Sequence, residues 1–119
     1  MANLQTSQNG IEQVTIDTNP VAGGYWTNAI RMRRGPAGDI EKMYFSIREK
    51  EDGGDSTITP ILQFKGINDL GWTDYNNAGE EFVIGDVYVM DANAYAAQWR
   101  AGVKEGGRTS GSINIGFSW

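Results

Sequence analysis

Apolar residues recur at every second position through most of this chain. Val14 and Ile16 are two apart, and Ile30 and Met32 alternate with Arg31 and Arg33. Met43, Phe45 and Ile47 alternate with Lys42, Tyr44, Ser46 and Arg48, and Ile58, Leu62 and Phe64 share a face opposite Thr57, Thr59, Gln63 and Lys65. Phe82 and Ile84 precede Gly85, and Val87 and Val89 follow it. Tyr95, Ala97, Trp99, Ala101 and Val103 keep the same period, as do Ile113, Ile115, Phe117 and Trp119. Successive side chains on a strand point to opposite faces, so each set predicts a strand with one face in the core. The predicted fold is an all-β, antiparallel β-sandwich, immunoglobulin-like or jelly-roll-like, with about 7–9 strands. Its expected core holds Val14, Ile16, Ile30, Met43, Phe45, Ile47, Leu62, Phe64, Phe82, Ile84, Val87, Val89, Trp99, Val103, Ile113, Ile115 and Phe117.

Turn chemistry separates these segments. Asn19-Pro20, Gly23-Gly24 and the stretch Arg34-Gly35-Pro36-Ala37-Gly38-Asp39 break the pattern early. Glu51-Asp52-Gly53-Gly54-Asp55 reads as a hairpin turn, as do Asn76-Asn77-Ala78-Gly79 and Lys104-Glu105-Gly106-Gly107-Arg108, the last leading into the final strand. Pro60 places its strand at an edge or at a bulge, and Gly85 marks a bulge or bend. One segment reads two ways. The alanines between Asp91 and Ala101, with Tyr95 and Trp99 four apart, suit a short helical turn near 91–96, whereas period two favours a strand from about Tyr95. Residues 1–10 are polar and predict a flexible arm, and 11–119 form one sandwich domain.

Composition narrows the chemistry. The 119 residues suffice for one domain that folds without staples. The absence of cysteine excludes disulfides and thiolate metal sites, and the absence of histidine removes the commonest general base and metal ligand. Ser-His and Cys-His catalysis are therefore excluded. No phosphate-binding glycine motif opens a helix after a strand. Glu80 and Glu81 are adjacent and would face opposite sides of a strand, so they make no catalytic pair. A formal charge of −5 argues against nucleic acid and against anionic membrane surfaces as partners. The first residues lack the basic start and apolar core of a secretory signal, so synthesis in the cytoplasm is expected.

Glu49, Glu51, Asp52 and Asp55 cluster at one turn. They read as a calcium loop or, with no match to an EF-hand pattern, as a solvated hairpin tip; no metal and no cofactor are expected. Trp99 and Trp119 belong to the apolar side of their strands, and Trp72 with Tyr75 flanks a turn that covers a sandwich end. Tyr25 and Trp26, after two glycines, form the aromatic pair expected at the surface. Arg31, Arg33 and Arg34 form a local basic stripe in an acidic chain, either a solvated strand face or a contact for an acidic partner. Tyr25, Trp26, Arg31, Arg33 and Arg34 together are the candidate docking face, with the 1–10 arm ordering on a neighbour.

The second half carries a further signal. It combines Thr57-Ile58-Thr59-Pro60-Ile61-Leu62-Gln63-Phe64-Lys65-Gly66, Gly71-Trp72-Thr73-Asp74-Tyr75-Asn76-Asn77 and Gln98-Trp99-Arg100-Ala101-Gly102-Val103-Lys104. Thr109-Ser110-Gly111-Ser112 and Gly116-Phe117-Ser118-Trp119 complete it. This pattern resembles small β-sandwich virion proteins of tailed bacteriophages, of the decoration or fibre-associated type. The resemblance implies a non-enzymatic structural protein with no catalytic residues, made in the host cytoplasm and located in the virion. The expected role is a capsid decoration, or cement, protein docking on the major capsid protein or another virion protein, as a homo-oligomer such as a trimer. The alternative is a tail- or fibre-associated host-recognition module binding a surface glycan on exposed aromatics.

Overall fold

The computed structural model of the protein describes residues 10–31, 43–66, 68–75, 81–90 and 98–119. Eleven strands lie among them: β1 (Ile11–Ile16), β2 (Tyr25–Trp26), β3 (Ile30–Arg31), β4 (Met43–Glu49), β5 (Thr57–Ile58), β6 (Ile61–Lys65), β7 (Thr73–Tyr75), β8 (Val87–Met90), β9 (Gln98–Val103), β10 (Arg108–Ser110) and β11 (Ile113–Ser118). All pairings are antiparallel. One sheet runs β1-β11-β4-β8. A second runs β2-β9-β6-β7, with β3 also on β9, and β10-β5 forms a ribbon. The fold is the all-β sandwich that the period-two pattern predicts. The strand number exceeds the expected one because β2, β3 and β5 are two residues long, too short to show an alternation.

Both main sheets bury one face against a shared core. Ile16, Met43, Phe45, Ile47, Ile113, Ile115 and Phe117 enter it from the four-stranded sheet, and Leu62, Trp99, Ala101 and Val103 from the other. Each fully buried aliphatic or aromatic side chain contributes about 1.5–3 kcal/mol over its exposed state. Val14, Ile30, Phe64 and Ile84, also expected inside, are half-buried and pack against this cluster.

Val87 and Val89 are a correction. Both are exposed, and Tyr88 and Met90 face inward instead. The reason is the partner strand: Phe45 stands opposite Tyr88 and Met43 opposite Met90. The Tyr88 ring also stacks on Phe45 at 6.0 Å and meets Phe82 edge-on at 4.9 Å. Phe82 and Ile84 before the Gly85 turn and Tyr88 and Met90 after it thus all face the core, while Asp86 within the turn is exposed; there Gly85 N donates to Ile47 O and Ile47 N to Asp86 O.

Two expected hairpins are also corrected. The 51–55 turn joins β4 to β5, which lie in different sheets, and the 104–108 turn joins β9 to β10, which pairs with β5. The last strand, β11, pairs with β1 and β4. The crossing after β4 is fixed by side chains. The Glu49 carboxylate accepts from Ser56 N at 2.8 Å and from Ser56 Oγ at 2.5 Å, while Ser112 N donates to Ser56 Oγ. Pro60 marks the break between β5 and β6, where the chain changes sheets. From Gln98 onward the competing helix and strand readings resolve to strand, and 91–97 lie outside the described residues. Of the predicted arm, 1–9 likewise lie outside them. Gly10 exchanges backbone bonds with Trp119 at 2.8 and 3.0 Å, so it already belongs to the sheet edge.

Candidate functional site

The site lies on the outer face of the five-stranded sheet. In β9, Trp99, Ala101 and Val103 point inward, which turns Gln98, Arg100 and Gly102 outward. Pairing then assembles the face. Gln63 of β6 stands beside Arg100 on one side and beside Asp74 of β7 on the other. Trp26 of β2 lies opposite Gly102, and Arg31 of β3 lies opposite Gln98. Trp72 precedes Asp74 by two residues and faces the same way.

Two close approaches hold the Trp26 indole. A Cβ on Gly102 would lie 1.9 Å from Tyr25 O and 2.9 Å from Trp26 Cα, so only glycine lets the strands meet there. Gly24, at φ 82°, leaves room for the indole nitrogen, which donates to Gly23 O at 2.6 Å.

The Arg100 guanidinium carbon sits 4.4 Å from the ring centroid of Trp26 and 4.4 Å from that of Trp72, and the Lys65 ammonium lies 5.1 Å from Trp72. Each cation–π contact is worth about 0.5–1 kcal/mol at exposed sites and about 2 when desolvated. A polar row orients the cation: Arg100 Nε donates to Gln63 Oε1 at 2.8 Å, Gln63 Nε2 donates to Asp74 Oδ1 at 2.9 Å, and Lys104 Nζ donates to Asp74 Oδ2. Gln63 is only 6% exposed, which makes these bonds obligatory rather than decorative. Burial lowers the Arg100 pKa from its ordinary value. Burial also pushes the Asp74 carboxyl upward, but hydrogen bonds from Lys104 and Gln63 and the Lys104 charge outweigh it and hold it below the usual 3.8.

That balance has a pH signature. A carboxyl depressed in the folded state stabilises the fold above 3.8, and the contribution disappears as pH falls through its lowered value. Asp74→Asn should therefore show a flatter loss of stability below pH 3.8 than the parent chain, measured by urea unfolding at stepped pH. The effect is small, below about 1 kcal/mol, because the pair is exposed. Superimposable acid limbs would contradict the assignment.

A shallow depression of about 350 Å³ opens on this face, lined by Gly23, Trp26, Gln63, Arg100, Lys104 and Glu105. It offers cationic and hydrogen-bonding groups backed by an indole, a surface suited to anions. A second hollow of about 240 Å³ lies by Pro60, Asp74, Glu81 and Phe82. Among the described residues no three acidic side chains converge on a point that would hold a metal, and the Glu49 carboxylate is engaged by Ser56.

Of the residues expected to form a docking face, Trp26 and Arg31 are on this surface, half-buried and exposed respectively. Tyr25 is not: it lies opposite Val103 and packs against the core, because neighbours on a strand face opposite ways. Arg33 and Arg34 lie outside the described residues. The sequence pattern does not single out Lys65, Arg100, Gln63, Lys104, Asp74 or Trp72 as members of the site. Arg100 and Lys104 were visible as outward positions of an alternating strand. The sequence pattern places Trp72 at a sandwich end, whereas Thr73–Tyr75 pair with β6 and bring its ring to Arg100. No family model, curated protein or solved structure matches the chain.

Proposed function

We propose that this chain is a non-enzymatic structural protein of a bacteriophage virion. In this reading it is a capsid decoration protein, docking on the major capsid protein through the outer face of the five-stranded sheet. The carrying observation is the concentration of cations and indoles on that face. Arg31, Lys65, Arg100 and Lys104, four of the ten Lys and Arg, gather there around Trp26 and Trp72 in a chain of net charge −5. Arginine and tryptophan are the residue types enriched at protein contacts, and a cationic patch on an acidic domain selects an acidic partner surface. Synthesis in the host cytoplasm and assembly as a homo-oligomer, such as a trimer, belong to the same proposal.

The second reading, a tail- or fibre-associated host-recognition module binding a glycan, would use the same indoles. Sugar stacking needs uncovered ring faces, and the cations over Trp26 and Trp72 favour protein docking instead.

The test is re-decoration of particles lacking the protein. Arg31→Glu combined with Lys65→Glu should lower occupancy on the particle at least about tenfold, through lost attraction and added repulsion. Both are surface changes, so the melting temperature should move by no more than about 2–4 °C. Full occupancy of the double variant would contradict the docking face, and failure of the unsubstituted chain to bind any particle would contradict the function.

A further inference from the structure

Arg100 presents an unusual combination. Its guanidinium is half-buried beside two indoles, and its Nε–H is already engaged by Gln63. Among the described residues neither terminal nitrogen has a hydrogen-bond or ion-pair partner. The Asp74 carboxylate on the same row is held by Lys104 and Gln63. Glu105, on the rim of the depression, is exposed and makes no bond to Arg100. A half-buried cation without a counter-charge is costly unless a partner supplies one.

The fork that remains has a defined shape. With Nε turned toward Gln63, the free edge is the one carrying both terminal nitrogens, whose parallel N–H bonds match the two oxygens of a carboxylate. The stack on Trp26 and Trp72 and the bond to Gln63 limit the motion of the guanidinium. Little conformational entropy is therefore lost when a ligand arrives. We infer that the depression beside Arg100 is a carboxylate-recognition site, taking an Asp or Glu side chain of a partner protein in a bidentate pair with the two terminal nitrogens of Arg100. Gln63 is the positioning residue that aims the fork, and Arg31 and Lys65 extend the positive field around it, the Lys104 charge being paired with Asp74. The inference rests on the docking reading above and names the chemistry by which that face selects its partner.

The test uses the full chain, labelled with ¹⁵N, and three probes: a capped hexaglutamate peptide, tetragalacturonate and inorganic phosphate. Binding is followed through the indole N–H signals of Trp26 and Trp72. Hexaglutamate should shift both signals. Arg100→Lys keeps the charge but loses the fork, and should weaken the peptide about tenfold or more. Glu105→Gln removes an anion from the rim and should tighten binding severalfold. If Arg100→Lys fails to fold, the shift map on the unsubstituted chain still locates the site. Peptide-induced shifts confined to other faces would overturn the inference, as would equal affinity for Arg100→Lys. Tetragalacturonate binding more tightly than the peptide would assign the site to an acidic glycan, and phosphate giving the same shifts at the same concentration would reduce it to a general anion site. Either outcome overturns the inference. Particle occupancy is measured separately. Loss of occupancy in Arg31→Glu/Lys65→Glu without peptide binding would leave the docking face standing and remove only the carboxylate chemistry.

Discussion

Phe45→Ala is expected to destabilise the fold by about 3–5 kcal/mol, read as a lower denaturant midpoint at unchanged slope. Phe45 is 0% exposed and lies on β4, hydrogen-bonded to β11 on one side and β8 on the other. Its ring meets Phe82 edge-on at 5.0 Å, Tyr88 at 6.0 Å and Phe117 at 5.8 Å. Each such pair adds about 0.5–1.5 kcal/mol beyond buried area. A strand paired on both sides cannot shift inward to fill the space, so most of the cavity persists. Domains are stable by only about 5–15 kcal/mol, so this one truncation takes a large share and should lower the melting temperature by roughly 10–30 °C. Val89→Ala, on the outward side of the neighbouring strand, should stay within about 0.5 kcal/mol. A loss at Phe45 below about 1 kcal/mol would show that the ring is not the centre of the packing.

The contrast between Phe45 and Val89 shows where sequence reasoning succeeds and where it stops. Long alternating runs such as Met43-Phe45-Ile47 and Ile113-Ile115-Phe117 carry their own orientation, because only one face of each is apolar. The Val87–Met90 run does not, since valine, tyrosine and methionine all suit either side of a strand. Its orientation is decided by Phe45 and Met43 across the pairing, contacts 43 and 47 residues away in sequence that no local pattern reveals. The same limit explains the two mistaken hairpins. Glycine with aspartate at 51–55, and the glycine pair at 104–108, specify that the chain turns, not which sheet it turns toward. The functional face follows this logic. Arg100 could be placed outward from β9 alone, but its partners Trp26, Trp72 and Gln63 come from three other segments. Gln63, which its strand pattern places on the face opposite Leu62 and Phe64, is buried because those segments close over it.

Gly102→Ala should disable that face while leaving most of the core in place. The added Cβ would fall 1.9 Å from Tyr25 O and 2.9 Å from both Trp26 Cα and Trp26 Cε3. The first two of these are backbone atoms of β2, so no rotamer change relieves the clash and one strand has to move. β9 is paired with β6 along its length, whereas β2 is two residues at the sheet edge. β2 is therefore the strand that yields. Its displacement is limited by Thr27, whose N donates to Ala101 O at 2.8 Å while Ala101 N donates to Thr27 Oγ1 at 3.1 Å. The cost should be about 1–3 kcal/mol, typical of overpacking, with Phe45 and its neighbours undisturbed. The functional loss is larger in proportion. The Trp26 ring leaves Arg100, the guanidinium loses one of its two indole walls, and hexaglutamate affinity should fall at least about tenfold. Gly71→Ala is the matched control: it adjoins Trp72, meets nothing within 4 Å, and should change neither stability nor binding by more than about 0.5 kcal/mol. Wild-type stability in Gly102→Ala, together with an unshifted Trp26 indole signal, would show that Gly102 does not set the position of that ring.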